Sequence, residues 1–260
     1  MTPDLTDDGF LDGRLRVWQP RTGYRAATDP VLLAASVPAG VGDRALELGC
    51  GVGVAGLCLA LRTGAQVTGV EVQARYADLA RRNAARNALP LTVVEGDLTR
   101  LTLTDAFDHV LANPPYYTAG SPSADAGRDL ALRGDLPLIR WMEVMARRAR
   151  HGGTVTLIVG ADRLAEVLRD MPATLGSVTV LPLAARVGRA AKRVIVQARK
   201  GGRGAFVLAA PVILHAGADH GGDGDDATPL ARLILRQGGG FPQPLSAGFG
   251  ECDGFMKNGA

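Results

Sequence analysis

The string Asn113-Pro114-Pro115-Tyr116 closes an apolar run at residues 107–112 and offers a side-chain amide, fixed carbonyls and an aromatic ring within one short stretch. Pro115 has no N–H for a ladder bond, and Pro114 biases Asn113 towards extended geometry, so a strand aimed at the pair must stop there. The result is a rigid shelf at a strand's carboxyl end, the edge of an open parallel sheet where ligands bind. Taken alone, the same string also fits a plain turn after a buried strand.

Further possible ligand contacts lie upstream. Gly49-Cys50-Gly51-Val52-Gly53 follows a short strand at residues 44–48, and Gly51, Gly53 and Gly56 also fit a GxGxxG spacing. That spacing is shared by several nucleotide-binding folds and decides little without its context. The context is Glu71, 20 residues after Gly51 and at the end of a second strand over residues 66–70, where a carboxylate can accept both hydroxyls of a ribose. Asp97, in Gly96-Asp97-Leu98 after a third strand at residues 91–94, lies one strand farther across the sheet. An acceptor there can take the amino group of an adenine ring.

These groups need a scaffold that presents successive strand ends along one edge. Helical stretches at residues 54–62 and 74–87 alternate with the strands, and the run 107–112 is the fourth strand. Alternation in units of roughly 30 residues indicates a doubly wound α/β sheet with right-handed crossovers. Farther on, a helix is expected over residues 136–150, stopped by Gly152-Gly153, then a strand at 154–159 and a helix at 162–169. Strands at 177–181 and 194–198 can pair antiparallel at the sheet's end, and residues 206–214 can add one more. Before the sheet, Asp12-Gly13 suits a tight hairpin turn within residues 10–18. Asp29-Pro30 supplies an N-cap and first-turn proline for a short helix at 31–37. Between hairpin and helix, Arg21, Tyr24 and Arg25 sit on a loop that is either functional or a polar connector.

The chain has 260 residues, 47% of them hydrophobic, and carries a net charge of +3, which suits one domain with decorations. Its three cysteines show neither disulfide-framework nor metal-ligand spacing. The amino terminus carries Asp4, Asp7 and Asp8 where a signal peptide would be basic and then apolar, and no apolar run approaches membrane-spanning length. A cytoplasmic protein without membrane contact or metal is expected. Arg186, Arg189, Lys192, Arg193, Arg199, Lys200 and Arg203 fall within residues 182–203, which hold no acidic residue. Such a cluster can track phosphates or simply be solvated. His215, Asp219, His220, Asp223, Asp225 and Asp226 are irregularly spaced in a glycine-rich stretch and are not assigned to a metal. Residues 120–134 suit a loop beside the site, and residues 238–260 a loose tail.

Together the glycine turn, the two acids and Asn113-Pro114-Pro115-Tyr116 resemble class I S-adenosylmethionine-dependent methyltransferases that act on planar amine or amide nitrogens. Gln19-Pro20-Arg21-Thr22-Gly23-Tyr24-Arg25, followed by Asp29, Leu32, Leu33 and Ala34, is similar to the opening of bacterial tRNA adenine N(6)-methyltransferases specific for valine tRNA. The stretch from Ala191 to Lys200 is similar as well. The resemblance implies a seven-stranded, mostly parallel, Rossmann-like sheet with its last strand antiparallel. It also implies an N-terminal hairpin and helix over residues 1–40, a methyltransferase domain over 41–215 and an extension over 216–260. S-adenosylmethionine is the implied cofactor, with Arg25, Glu47, Gly49, Cys50, Gly51, Gly53, Glu71, Val72, Asp97, Leu98 and Asn113 as its contacts. Asn113, Pro114, Pro115 and Tyr116 are the implied catalytic set, acting on a loop adenine in tRNA. Arg21, Arg186, Arg189, Lys192, Arg193 and Lys200 are the expected RNA contacts. A protein glutamine amide remains an alternative substrate, and a catalytically silent RNA-binding protein an alternative class.

Overall fold

The computed structural model describes residues 4–101, 103, 105–115, 136–217 and 226–245. Tyr116, the loop at 120–134, residues 218–225 and the tail at 246–260 lie outside the described residues.

The chain opens with a hairpin, β1 (Leu5–Phe10) and β2 (Leu15–Pro20), in full antiparallel register. It begins five residues before the expected start, and its turn is carried by Asp12-Gly13 with Leu11, all three at positive φ. α1 (Thr28–Ser36) follows. Asp29 lies inside its first turn and does not cap it; the carboxylate instead accepts from Arg193 Nε at 3.0 Å.

The sheet then builds as expected through β3 (Arg44–Leu48), α2 (Val54–Thr63), β4 (Gln66–Glu71), α3 (Ala74–Asn87), β5 (Leu91–Glu95) and β6 (Phe107–Ala112). It continues through α4 (Leu138–Arg148), β7 (Ala149–Gly160), α5 (Leu164–Arg169), β8 (Leu175–Ala184) and β9 (Arg193–Lys200). Two short strands, β10 (Val207–Leu208) and β11 (Val212–Ile213), both pair with β8, where one strand was expected, and α6 (Pro229–Leu235) closes the described elements.

Strand order is β10-β8-β9-β7-β6-β3-β4-β5, with β9 antiparallel to both its neighbours and every other pairing in this sheet parallel. The order runs one way from β3 through β4 to β5 and the other way from β6 through β7. The crevice beyond the carboxyl ends of β3 and β6 is therefore the topological switch point, where such sheets bind ligands. One buried cluster joins α1, α2 and α3 to the sheet, and a second sits beneath α4 and α5.

Gly152-Gly153 does not end a helix. α4 stops at Arg148, and the glycines lie within β7, where the pairing with β6 shifts register between Phe107 and His109. A Cβ at Gly153 would sit 2.8 Å from the Asp108 carbonyl oxygen, so the irregular ladder needs a residue without a side chain. The expected loose tail is also corrected over its first part: Phe241 is 3% exposed and Leu245 1% exposed, and the Phe241 N–H donates to the Ala35 carbonyl at 2.9 Å.

The hairpin is held to α3 by two amides one helical turn apart. Asn83 Oδ1 accepts from Trp18 N at 2.8 Å, and Asn87 Oδ1 from Arg16 N at 3.0 Å. Their Nδ2 groups donate to the carbonyls of the same two residues, and Asn83 Nδ2 also reaches the Val52 carbonyl at 3.0 Å. Among the described residues, no helix is long and apolar enough to cross a membrane.

Candidate active site

A cavity of about 350 Å³ opens over the switch point. Its wall includes Gly49 and Gly51 after β3, Glu71, Val72 and Gln73 after β4, Gly96, Asp97 and Leu98 after β5, and Asn113 and Pro115 after β6. Four strand ends therefore deliver the expected groups to one place.

The glycine turn is built for close approach. Gly49, Gly51 and Gly53 all have positive φ, and Cys50 N is held by the Val70 carbonyl at 2.9 Å. A Cβ on Gly49 would come within 2.7 Å of the Trp141 ring, and one on Gly51 within 3.0 Å of the Tyr24 ring. Glu71 clasps the same turn: its Oε2 accepts from Gly51 N at 2.8 Å and its Oε1 from Gln73 N at 2.9 Å. Burial pushes the Glu71 carboxyl above its ordinary range, opposed by the N–H groups of Gln73, Gly51 and Val72. The two oxygens offer about four lone-pair sites between them, so the carboxylate keeps acceptor capacity for a ligand hydroxyl beyond these N–H groups.

Asp97 begins a short 3₁₀ turn, with Oδ1 accepting from the N–H and the hydroxyl of Thr99, both at 2.8 Å. The Thr99 N–H first, and then its hydroxyl, hold this carboxyl below its usual range, so it is an anionic acceptor. Val72, an apolar side chain at the cavity, is 58% exposed, as suits a surface awaiting a flat apolar ligand. Acceptors spaced for hydroxyls and an amine, a glycine wall and an uncovered aliphatic contact together fit a nucleoside bearing a flexible polar tail.

Other expected residues lie elsewhere. Glu47 is beneath the turn rather than in the wall, 3% exposed, with Oε2 accepting from Gly56 N at 2.8 Å. Burial, reinforced by the Glu71 charge and opposed by the Gly56 N–H, pushes its carboxyl up to about 8. Cys50 packs its sulfur over Gly69, and burial pushes its thiol well up. Gly53 is the N-cap of α2, facing Leu91 and Ala80. Pro114, between two residues of the wall, is itself buried. Arg25 is turned away from the cavity: it donates to Thr6 Oγ1 and the Pro20 carbonyl, both at 2.7 Å, and pairs with Asp8.

The expected RNA contacts separate into groups. Arg189 and Lys192 are exposed in the β8–β9 connection, which emerges at the sheet edge bearing the cavity, and Arg21 is exposed beside Tyr24. Arg186 is engaged with Asp226 and the Ala216 carbonyl, and Arg193 with Asp29. Asp226 also accepts from or shares a proton with His215 Nδ1 at 2.7 Å. Lys200 lies at the opposite edge, because antiparallel β9 carries it away, and donates to the Ala149 carbonyl at 2.8 Å.

Tyr24, Val70, Tyr76, Leu136 and Trp141 complete the cavity lining; Tyr24 lies in the stretch at residues 19–25 singled out above, and no motif marks the other four for the cavity. Tyr24 is presented by a tied loop: Gln19 Oε1 accepts from Ala26 N at 2.8 Å, and the Tyr76 hydroxyl accepts from Tyr24 N at 3.0 Å. Burial, with the charges of Glu47, Asp29 and Glu71, raises the Tyr24 hydroxyl and keeps it a neutral donor. The sequence signal was the tyrosine beside the arginines; which of these neighbours faced inward had no local signature.

Residues 27–134 match the methyltransferase small domain family. A tRNA1(Val) (adenine(37)-N6)-methyltransferase of Aeromonas hydrophila is 30% identical over 201 residues, 75% of this chain and 85% of that relative. The crystal structure of a predicted O-methyltransferase from Agrobacterium tumefaciens superimposes with a TM-score of 0.66 at 28% identity, covering 82% of this chain and 98% of the other. A Thermus thermophilus 16S rRNA N2 G1207 methyltransferase, solved with AdoMet and guanosine, shares the fold with a TM-score of 0.54 at 21% identity, covering 75% of this chain and 50% of that one. The order of strands, the acids at their ends and the relatedness agree: the chain belongs to the class I S-adenosylmethionine-dependent methyltransferases, in the family of bacterial tRNA1(Val) (adenine(37)-N6)-methyltransferases.

Proposed function

We propose that the protein methylates the exocyclic amine of an adenine in the anticodon loop of a valine tRNA, in the cytoplasm. The observation that carries this reading is that Asn113 and Pro115 share one cavity with Glu71 and Asp97. An amine-binding shelf thus stands beside a nucleoside-binding wall.

S-adenosylmethionine, when bound, supplies an electrophilic methyl group on a sulfonium. Glu71 would accept the ribose hydroxyls, Asp97 and the Leu98 N–H would take the adenine edge, and Val72 would offer the ring its apolar contact. Gly49 and Gly51 leave room for the methionine portion, and Glu47 supports their turn from below through Gly56. Tyr24 closes the remaining side in place of Arg25.

An adenine amine is a poor nucleophile because its lone pair is delocalised into the ring. Asn113 Oδ1 and the Pro114 carbonyl each accept one amine hydrogen, returning electron density to nitrogen as it becomes tetrahedral and positive. Acceptors fixed in advance favour this developing charge over the neutral ground state. The methylated cation then loses a proton readily, so no strong base is required. A hydroxyl acceptor has one hydrogen and would leave one of the two acceptors unused, which favours nitrogen over oxygen. Tyr116 stacks on the splayed base, and loops of RNA expose such bases more cheaply than helices do. Arg21, Arg189 and Lys192 track the phosphates nearby.

The test is incubation of the protein with labelled S-adenosylmethionine and either unmodified total tRNA or release factors, followed by nucleoside and peptide analysis. N6-methyladenosine in tRNA is expected. Label on ribose oxygen, or only on a protein glutamine, overturns the reading.

A further inference from the structure

Arg163 follows the end of β7 in a short 3₁₀ turn, and its side chain is only 12% exposed. Its guanidinium is shared between two partners. Nε donates to Glu166 Oε2 at 3.0 Å and Nη2 to Glu166 Oε1 at 2.9 Å, while Nη1 donates to the Pro115 carbonyl at 3.1 Å. From these contacts we infer that Arg163 and Glu166 are a positioning pair for the amine-binding shelf, a role that rests on the reaction proposed for Asn113.

The geometry has a specific effect. A two-point guanidinium–carboxylate contact fixes the plane of the fork, so the direction of the third N–H is set as well. Proline's ring fixes φ but leaves ψ free. Anchoring the Pro115 carbonyl removes that remaining freedom and fixes the orientation of the Pro115 carbonyl group. It also engages one lone pair of the Pro115 oxygen, on the residue next to the Pro114 carbonyl proposed to meet the substrate amine.

Charge explains why Arg163 has an acidic partner. The proposed transition state gathers positive charge on nitrogen near this shelf, and an unneutralised guanidinium would oppose it. Glu166 balances that charge while orienting the fork. The pair stands on the 3₁₀ turn after β7 and on α5, away from the glycine turn and Glu71, so its loss should affect transfer and spare cofactor binding.

The test compares wild type with Arg163→Met, Arg163→Lys and Glu166→Gln. It reads the single-turnover rate on tRNA at saturating concentrations, the cofactor dissociation constant by calorimetry, and amide exchange over residues 112–118. Arg163→Met should slow transfer about 10- to 100-fold, the cost of a small misplacement of reacting groups. Cofactor affinity should stay within about two-fold, as for independent sites. Exchange over 112–118 should accelerate, and Arg163→Lys should recover part of the rate because an ammonium can serve one of the two acceptors. Unchanged rate and exchange in Arg163→Met, or a parallel loss of cofactor affinity, would overturn the assignment. If Arg163→Met does not fold, Glu166→Gln decides: a several-fold slower transfer supports the pair, and wild-type transfer overturns it. A wild-type protein inactive on tRNA would refute the proposed substrate, while the exchange comparison would still judge Arg163.

Discussion

Replacing Glu47 by glutamine should make the protein less sensitive to alkali while leaving its fold intact. The carboxyl is buried on β3, its ordinary value of 4.5 is raised to about 8, and it accepts from the Gly56 N–H at 2.8 Å. Because the folded value lies above the unfolded one, the folded state retains a proton that the unfolded chain releases between these two values. The stability contributed by this group is complete below pH 4.5 and is lost as pH rises towards about 8. Between pH 5 and pH 8 that loss amounts to about 3 to 4 kcal/mol, at roughly 1.36 kcal/mol for each pH interval of one. Glu47→Gln keeps a carbonyl oxygen for Gly56 and cannot ionise. Urea unfolding of both proteins at pH 5 and pH 8 isolates the effect, since other titrating groups are common to both and largely cancel. The stability difference should move in favour of Glu47→Gln by about 3 to 4 kcal/mol over that interval, with equal m-values. Parallel pH profiles would refute the claim that Glu47 is protonated in the folded protein near neutrality.

Asn113→Ala should cost about 1.5 to 3 kcal/mol of transition-state stabilisation, roughly 10- to 150-fold in single-turnover rate, with cofactor affinity kept; near-normal turnover would remove Asn113 from the proposed chemistry. Replacing Arg189 and Lys192 together by alanine should reduce the salt slope of tRNA binding by about 2, whereas Lys200→Ala should leave it unchanged. The reverse pattern would place the RNA on the other sheet edge. Gly49→Ala should destabilise the protein by about 1 to 3 kcal/mol in urea melts, because the new methyl group meets the Trp141 ring and φ is positive. A stability equal to wild type would show that α4 yields easily.

Strand ends were legible because the sequence marks them chemically. Glycines, Glu71, Asp97 and the prolines each follow an apolar run, and alternation with helices dictates that these ends share an edge. Connections between distant segments carried no such mark. Arg163 lies 48 residues from Pro115, and no local pattern joins them. Lys192 and Lys200 looked like one cluster in sequence, yet eight residues of strand separate them by about 26 Å at the usual rise. Arg25 and Tyr24 are neighbours whose side chains part, one onto Asp8 and the other over Gly51. Gly152-Gly153 followed a helical stretch and suggested its stop, whereas the pairing with β6 places them within β7. Phe241 and Leu245 were hidden in a Gly- and Pro-rich context that disguised two core side chains.

The amides of Asn83 and Asn87 do for β2 what a third strand would do. They supply alternate donors and acceptors to Arg16 and Trp18, so the face of the hairpin turned from β1 offers little open backbone to another chain. An unprotected strand in that position would be a template for intermolecular pairing. A helix cannot be extended by such pairing, because its own backbone bonds are already made. By ending the β2 side of the hairpin on side chains, the molecule closes that edge to pairing with another chain.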